Sequence, residues 1–73
     1  MAGALLTVKL SRKERELQFR VNLVLDAAEE VFAESSYAQA SVEEIARRAE
    51  ISVGTLYNLF HSKEDIYRGV LSR

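Results

Sequence analysis

The apolar positions of the chain recur with the three- and four-residue spacing of α-helices. The first stripe consists of Val21, Val24, Leu25, Ala28, Val31 and Phe32. Residues at this spacing lie on one face of an amphipathic helix. Ser11, followed three residues later by Glu14, forms a capping-box pattern that predicts the start of this helix. Because the stripe stops near Ser35 and Ser36, the pattern predicts one long first helix.

Three serines predict the starts of three further helices. Ser41 precedes a second apolar stripe and has Glu44 in the capping-box position, so this helix is expected to begin at Val42. Ser52 is a good N-cap for a third helix. Ser62 has an acid three residues later and predicts a fourth helix. No useful stretch alternates apolar and polar residues as a strand would, so the pattern predicts an all-α fold.

The stripes also predict one shared hydrophobic core. Its expected members are Val24, Leu25, Ala28, Phe32, Ile45, Ala46, Ala49, Ile51, Leu56, Phe60 and Ile66. A chain of 73 residues makes a single small domain. Since small domains bury a modest fraction of their surface, this one is expected to be marginally stable.

The second and third predicted helices are separated only by a short segment around Glu50 and Ile51. A turn this short makes two helices cross steeply, as in a helix-turn-helix motif. The second helix of that motif lies in the major groove of DNA, so its outer face should be small and polar. On a helical projection, Leu56 and Phe60 share one face of the third helix. The opposite, uncharged face consists of Gly54, Thr55, Tyr57 and Asn58.

Two residues of this region, Gly54 and Lys63, are unfavourable for the helices in which they are expected. A glycine inside a helix costs roughly 0.8–1.0 kcal/mol relative to alanine, and Gly54 is expected in the interior of the third helix. Close approach of another backbone explains it, either a DNA phosphate or the first helix. Lys63 is expected in the first turn of the fourth helix, where the helix dipole disfavours a cation. Either it meets an external anion such as phosphate, or it is a solvated surface lysine.

The charge balance does not favour nucleic acid by itself. Ten basic and eleven acidic residues give a net charge of −1 and a pI near 5.8, whereas nucleic-acid binders are usually basic. The charges are separated, however, with five cations between Lys9 and Arg20 and four acids without a base between Asp26 and Glu34. Such a domain can place its basic end on DNA and turn its acidic flank to water. The alternative is that both segments are ordinary solvated helix faces.

The composition argues against an enzyme. The chain has no cysteine, one histidine and no glycine-rich phosphate loop, and His61 is expected to be an inert surface residue. No catalytic site, metal site or cofactor is therefore expected. Residues 1–10 lack the basic region and cleavage site of a signal peptide and are expected to form a flexible arm. No apolar run approaches the roughly 20 residues of a membrane span, so a soluble, cytoplasmic protein without a membrane partner is expected.

The chain from Val21 to Leu71 resembles the N-terminal domain of the TetR family of transcriptional regulators. The most specific part is the string Ile-Ser-Val-Gly-Thr-Leu-Tyr-x-x-Phe-x-x-Lys, which runs from Ile51 to Lys63. Further matching segments are Leu25–Ala28, Val31–Phe32, Ser36–Tyr37, Ser41–Ala46 and Ser62–Glu64. The resemblance implies a homeodomain-like helix-turn-helix bundle of three helices, plus the start of a fourth linking helix, within residues 11–73.

The resemblance also implies a function. A recognition helix, Val53–Phe60, would enter the major groove and give sequence-specific DNA binding, in a regulator expected to be a repressor. The implied DNA-binding residues are Ser41, Val53, Gly54, Thr55, Tyr57, Asn58 and Lys63. Among them Ser41, Tyr57 and Lys63 would bind phosphates, and Asn58 would face base edges. Similar proteins are homodimers on palindromic double-stranded DNA and bind a small ligand in a separate C-terminal domain, which is expected to be absent from this chain.

Three residues depart from the family pattern. Ser36 and Glu50 stand where glycine is usual or frequent, so strained or differently shaped turns are expected at both. Leu59 stands where an aromatic residue or a histidine is frequent, and leucine cannot bond a phosphate. A second interpretation stays open, a small helical protein-interaction module without DNA binding. The net negative charge favours that alternative, whereas the small polar face of the third helix favours DNA.

Overall fold

The computed structural model describes residues 10–73, which form four helices. Helix α1 spans Arg12–Glu34, α2 spans Val42–Ala49, α3 spans Val53–Leu59 and α4 spans Lys63–Leu71. No strand occurs within residues 10–73, and the expected all-α class is confirmed. The arm expected for residues 1–10 lies, except for Leu10, outside the described residues. None of the four helices has the length and apolar character needed to cross a bilayer.

Each helix begins after a serine whose hydroxyl accepts a hydrogen bond from the backbone N–H three residues later. The four caps are Ser11, Ser41, Ser52 and Ser62, with N···O distances of 3.0–3.1 Å. Each cap satisfies one of the N–H groups left free at a helix start. At Ser11 the box is complete, because its N–H donates to Glu14 Oε1 at 2.8 Å. The box predicted at the start of α2 is wrong in its second half, since the Glu44 carboxylate pairs with Arg47 and Arg48 instead.

One hydrophobic core joins the helices. Its buried members are Val24, Leu25, Ala27, Ala28, Val31, Ala40, Val42, Ile45, Ala46, Ala49, Leu56, Phe60 and Ile66. The buried face of α1 is wider than the predicted stripe because both α2 and α4 pack against it, while α3 packs on α2. Helix α1 is therefore the element against which α2 and α4 assemble.

Two residues expected in the core, Phe32 and Ile51, are only half-buried at its edge. Phe32 lies near the end of α1, where its ring packs against the partly exposed rings of Tyr37 and Tyr67 at centroid distances of 5.8 and 5.3 Å. Ile51 lies in the turn between α2 and α3, and a turn runs along the surface because its backbone needs solvent or local partners. Helical spacing alone does not distinguish the edge of a core from its centre.

Gly69 permits the close packing of α4 on α1. A Cβ atom at this position would lie 2.9 Å from Leu25 Cδ2 and 3.5 Å from Phe60 Cε1. Leu25 is buried, so a side chain on residue 69 would force its Cδ2 methyl group to move, whereas the distance to Phe60 is an ordinary van der Waals contact. The sequence contained a signal for this contact, because Gly69 follows the buried Ile66 by three residues and shares its face.

Arg48 joins α1 to α2. Its guanidinium donates to both carboxylate oxygens of Glu34, at 2.7 and 2.6 Å, and to Glu44 at 2.8 Å. Glu30 lies 3.6 Å away. Hydrogen bonds from Arg47 and then Arg48 lower the pKa of Glu44 to about 2, and the bond from Arg48 lowers the pKa of Glu34.

The core assignment predicts how single truncations change stability. Ile45 and Leu56 have no exposed surface, and truncating such a residue to alanine costs about 2–5 kcal/mol. Since a whole domain is stable by roughly 5–15 kcal/mol, Ile45→Ala and Leu56→Ala should each abolish cooperative unfolding or shift it far down in temperature. Circular dichroism melting measures this. Leu17→Ala is the control, because Leu17 is 51% exposed, and it should melt like the parent. A parental melting curve for Leu56→Ala would contradict the assignment of Leu56 to the buried face of α3.

The Glu44 cluster predicts a pH-dependent contribution to stability. Because the pKa of Glu44 is depressed in the folded state, its contribution is complete above the ordinary value of 4.5 and is lost as the pH falls toward about 2. Glu44→Gln should therefore lower the free energy of unfolding near neutral pH, and the difference from the parent should shrink through this window. Urea titrations across the pH range measure it. Glu43→Gln, at an exposed neighbouring carboxylate, is the matched control. A difference at Glu44 that is as large at pH 2 as at neutral pH would contradict the ion-pair origin.

Candidate nucleic-acid interface

The turn between α2 and α3 depends on one residue in an unusual conformation. Glu50 has φ 61° and ψ 39°, in the left-handed region, and is the one non-glycine residue with positive φ in residues 10–73. Its N–H bonds Arg47 O at 3.1 Å, and the N–H of Ile51 bonds Ala46 O at 3.0 Å. These bonds close α2 and redirect the chain into α3 within three residues. A non-glycine residue here costs on the order of 1–2 kcal/mol, so the strain expected at Glu50 is present.

The turn after α1 is different from expectation. Ser36 does not adopt a positive φ, so the strain expected there is absent. Instead, its carbonyl accepts the N–H of Ala40 at 2.8 Å, and its hydroxyl accepts the N–H of Gln39 at 3.2 Å. A serine can close this turn with its own side chain, which glycine could not do.

Helix α3 presents the outer face that the helical projection predicts. Leu56 is buried completely and Phe60 nearly so, while Gly54, Tyr57 and Asn58 are exposed. The helix ends one residue earlier than predicted, because Phe60 adopts an extended conformation as the C-cap. No residue of α3 is charged.

The front of α3 is partly occupied by contacts within the protein. Val53 is half-buried and packs against the core. Thr55 is also half-buried, and its Oγ1 lies 2.9 Å from Ser52 Oγ. Of Val53, Gly54 and Thr55, which the family resemblance places at the front of the recognition helix, Gly54 is therefore the one that is exposed.

The position of Gly54 corrects one expectation. It is the second residue of α3, so it lies in the first turn and not in the helix interior. A Cβ atom at Gly54 would contact only Ser52 Oγ, at 3.9 Å. Tight packing against α1 is therefore wrong as an explanation, and positive φ does not explain the glycine either.

Ser41 and Lys63 lie close together although 22 residues separate them in sequence. The Nζ atom of Lys63 donates to the carbonyls of Tyr37 at 2.6 Å, Ala40 at 3.1 Å and Ala38 at 3.4 Å. Ala40 directly precedes Ser41, so this contact brings the start of α4 beside the start of α2. The expectation that only an external anion or free solvent would account for Lys63 is wrong, because the protein itself supplies acceptors. A phosphate contact by Lys63 stays a prediction.

The acidic flank of α1 is not simply turned to water. Arg73 lies 2.8 Å from Asp26 and 3.0 Å from Glu29, and Arg48 pairs with Glu34 and lies near Glu30. Two arginines thus contact the four acids of this flank and offset part of its negative charge. By contrast, every residue from position 11 to position 20, in the basic part of α1, is exposed.

Known proteins resemble this chain over the region just described. A sequence model of the family described as "Bacterial regulatory proteins, tetR family" matches residues 24–70. The "Fatty acid metabolism regulator protein" of Bacillus subtilis is 49% identical over 43 residues, 59% of this chain and 22% of that protein. The "HTH-type transcriptional activator FasR" of Mycolicibacterium smegmatis is 43% identical over 65 residues, 89% of this chain and 27% of that protein.

A further relative extends the comparison. The "HTH-type transcriptional regulator UidR" of Escherichia coli K12 is 34% identical over 62 residues, which are 85% of this chain and 32% of that protein. The chain thus spans less than a third of the length of each of these three relatives. No solved structure matches it significantly.

The short strained turn, the packing of α3 on α2 and the uncharged outer face of α3 are the features of a helix-turn-helix domain, of the kind found in DNA-binding transcriptional regulators. The chain belongs to the tetR family of bacterial regulatory proteins. The expected family and the expected non-enzymatic class are both confirmed by this membership.

The free space at Gly54 leads to a prediction that separates folding from binding. Gly54→Ala should leave the melting temperature unchanged or raise it, by at most about 1 kcal/mol of stability, because alanine favours the helix and meets no clash. DNA binding should weaken, since the methyl group lies on the outer face of α3. Thermal melting and fluorescence anisotropy with a labelled duplex measure the two effects. Gly69→Ala is the matched control, because its methyl group would meet Leu25 Cδ2 instead of open space. A lower melting temperature with unchanged binding for Gly54→Ala would reverse the interpretation.

Proposed function

We propose that this domain binds double-stranded DNA in a sequence-specific manner, with α3 as its recognition helix in the major groove. Two copies would bind the halves of a palindromic operator and regulate transcription from it. The proposed DNA-binding residues are Ser41, Val53, Gly54, Thr55, Tyr57 and Asn58, to which the family resemblance adds Lys63. The proposal depends on the outer face of α3, where no other residue of the described chain fills the space beside Gly54.

The exposed residues of α3 suit two different kinds of contact. Tyr57 is 47% exposed, and its hydroxyl can donate to a phosphate oxygen. Asn58 lies one residue further on and carries an amide that can pair with N6 and N7 of adenine. Phosphate contacts fix the register on DNA, and base contacts carry the sequence information. Tyr57 is thus proposed to position the helix and Asn58 to read a base.

Ser41 is proposed as a second phosphate contact. Its hydroxyl oxygen accepts the Glu44 N–H in the α2 cap, which leaves its own O–H free to donate. The resemblance also implies a phosphate contact by Lys63. That contact would compete with the three carbonyl acceptors that Lys63 already has.

Homodimerisation, a palindromic operator and a small effector ligand are proposed from family membership. One domain has few phosphate contacts, and non-specific affinity is typically about 10⁻⁴–10⁻⁶ M at physiological salt. A second copy at fixed spacing increases affinity through effective concentration. Repression stays the preferred direction of regulation, although one relative is named as an activator. The cytoplasm is the proposed location because the operator would be found there.

A protein-interaction role without DNA is the second candidate. The observation in its favour is the exposed apolar surface at Leu17 and Phe19, which are 51% and 64% exposed. Family membership favours DNA binding over a protein-interaction role. The two candidate functions predict different retention on an immobilised mixed-sequence duplex at low salt. A protein-interaction module with this net charge should not be retained on immobilised DNA.

The proposed division of roles predicts the outcome of a selection from randomised duplexes. Two copies of the chain joined by a flexible linker should select an inverted repeat. Asn58→Ala in both copies should relax the preference at one base pair of each half-site, because a bidentate asparagine–adenine contact contributes about 1–3 kcal/mol of discrimination. Affinity for random DNA should remain close to that of the parent.

Tyr57→Phe is the matched control for this experiment. It removes one hydroxyl from the adjacent position, and it should weaken binding to selected and random duplexes by a similar factor without changing the selected sequence. An unchanged motif for Asn58→Ala, together with a changed motif for Tyr57→Phe, would reverse the two roles. Failure of the parent to enrich any sequence would refute the proposed function.

A further inference from the structure

The Lys63 side chain makes several polar contacts with residues that are distant in sequence, although it is only half-buried. Three backbone carbonyls, those of Tyr37, Ala38 and Ala40, lie 2.6–3.4 Å from its Nζ atom. The same atom lies 4.5 Å from the centroid of the Tyr37 ring, within the range of a cation–π interaction. A lysine ammonium has three N–H donors and no acceptor. The three carbonyls therefore use its full hydrogen-bonding capacity.

This arrangement accounts for a cation in the first turn of α4. The helix dipole disfavours Lys63 there, whereas Glu64 and Asp65 in the same turn are favoured. The carbonyl oxygens of the loop offer the partial negative charge that the helix start does not. The unfavourable position is therefore compensated within the protein, and no external anion is needed to explain it.

The loop held by Lys63, residues 37–40, is also fixed from its other side. The Tyr37 ring packs against Tyr67 at 5.1 Å and against Phe32 at 5.8 Å between centroids. At the end of the loop, Ala40 is buried in the core. The next residue, Ser41, caps α2 by accepting the N–H of Glu44 at 3.0 Å.

We propose that Lys63 is a positioning residue that holds the 37–40 loop and thereby fixes Ser41 at the start of α2 for contact with a DNA phosphate. The inference rests on the proposed function and deepens it. It assigns to Lys63 an indirect role in DNA binding, in place of the direct phosphate contact that the family resemblance implies. Ser41 and the loop supply the contact, and Lys63 sets where they lie.

Two substitutions at Lys63 distinguish positioning from direct contact. Lys63→Met keeps an unbranched side chain and removes the charge and all donors. Lys63→Arg keeps the positive charge, and that charge suffices for a phosphate contact. The planar guanidinium of arginine, however, cannot direct donors from one atom toward three carbonyls. If Lys63 acts by positioning, both variants should weaken binding to a random duplex by roughly three- to tenfold. The slope of log affinity against log salt should stay near that of the parent, because no phosphate contact of a cation is lost.

Hydrogen exchange of the free 73-residue chain supplies an independent measurement. The amides of Glu44 and Ala40 report on the Ser41 cap and on the loop. Both should exchange about tenfold faster in Lys63→Met, since the hydrogen bonds that stabilise the loop are lost. The Thr55 amide, capped by Ser52 in α3, is the internal control and should be unaffected. Tyr37→Phe keeps the ring beneath the ammonium and should behave like the parent.

The outcomes separate the two proposals. Full affinity in Lys63→Arg, with a salt slope reduced by about one unit in Lys63→Met, would show direct phosphate contact and overturn the inference. Faster exchange of Thr55 together with Glu44 would mean general destabilisation and would also overturn it. Accelerated loop exchange with unchanged DNA affinity would refute positioning while leaving the proposed function intact. A parent chain that binds no DNA would refute the proposed function itself.

Discussion

The arrangement of this domain depends on the burial of short helices against α1. Helices α2, α3 and α4 contain eight, seven and nine residues, and isolated helices shorter than about 12–15 residues are marginal in water. None of them is expected to persist without the core around Ile45, Leu56 and Ile66, which are completely buried. Helix α3 packs on α2, and α2 packs on α1. Helix α3, the proposed recognition helix, is therefore held indirectly, so a loss of core packing far from its outer face would also displace that face.

Local rules were sufficient to predict the helix starts and the faces of α3. A serine cap and its N–H partner lie three residues apart, and Leu56 and Phe60 lie on one side of a helix by geometry alone. The sequence did not predict the partners of the long charged side chains. Lys63 contacts a loop more than twenty residues away, and Arg48 bonds Glu34 across fourteen positions. Such contacts depend on how the helices pack. Glu44 pairs with Arg47 and Arg48 for that reason, although its spacing from Ser41 also suits a capping box.

Net charge is a poor guide to the surface that this domain presents. The acids of α1 are engaged by Arg48 from α2 and by Arg73 beyond α4. These ion pairs are partly exposed, so each contributes little to stability at physiological salt. Their effect on the electrostatic field is larger, because they offset part of the negative charge of the acidic flank. The exposed cations between Arg12 and Arg20 remain on the opposite part of α1.

The uncharged outer face of α3 bears on which parts of the domain contribute to DNA affinity and which contribute to sequence specificity. Phosphate neutralisation by cations dominates affinity for DNA, and α3 contains no cation. The groups that α3 does offer, the amide of Asn58 and the hydroxyl of Tyr57, suit orientation and reading better than strong attraction. Under the proposed function, affinity would come from the basic part of α1, from the helix starts near Ser41 and from a second copy of the domain. Under the proposed binding mode, such a domain would gain strong binding only where two correctly spaced half-sites are present, so weak individual contacts would favour selectivity over non-specific retention.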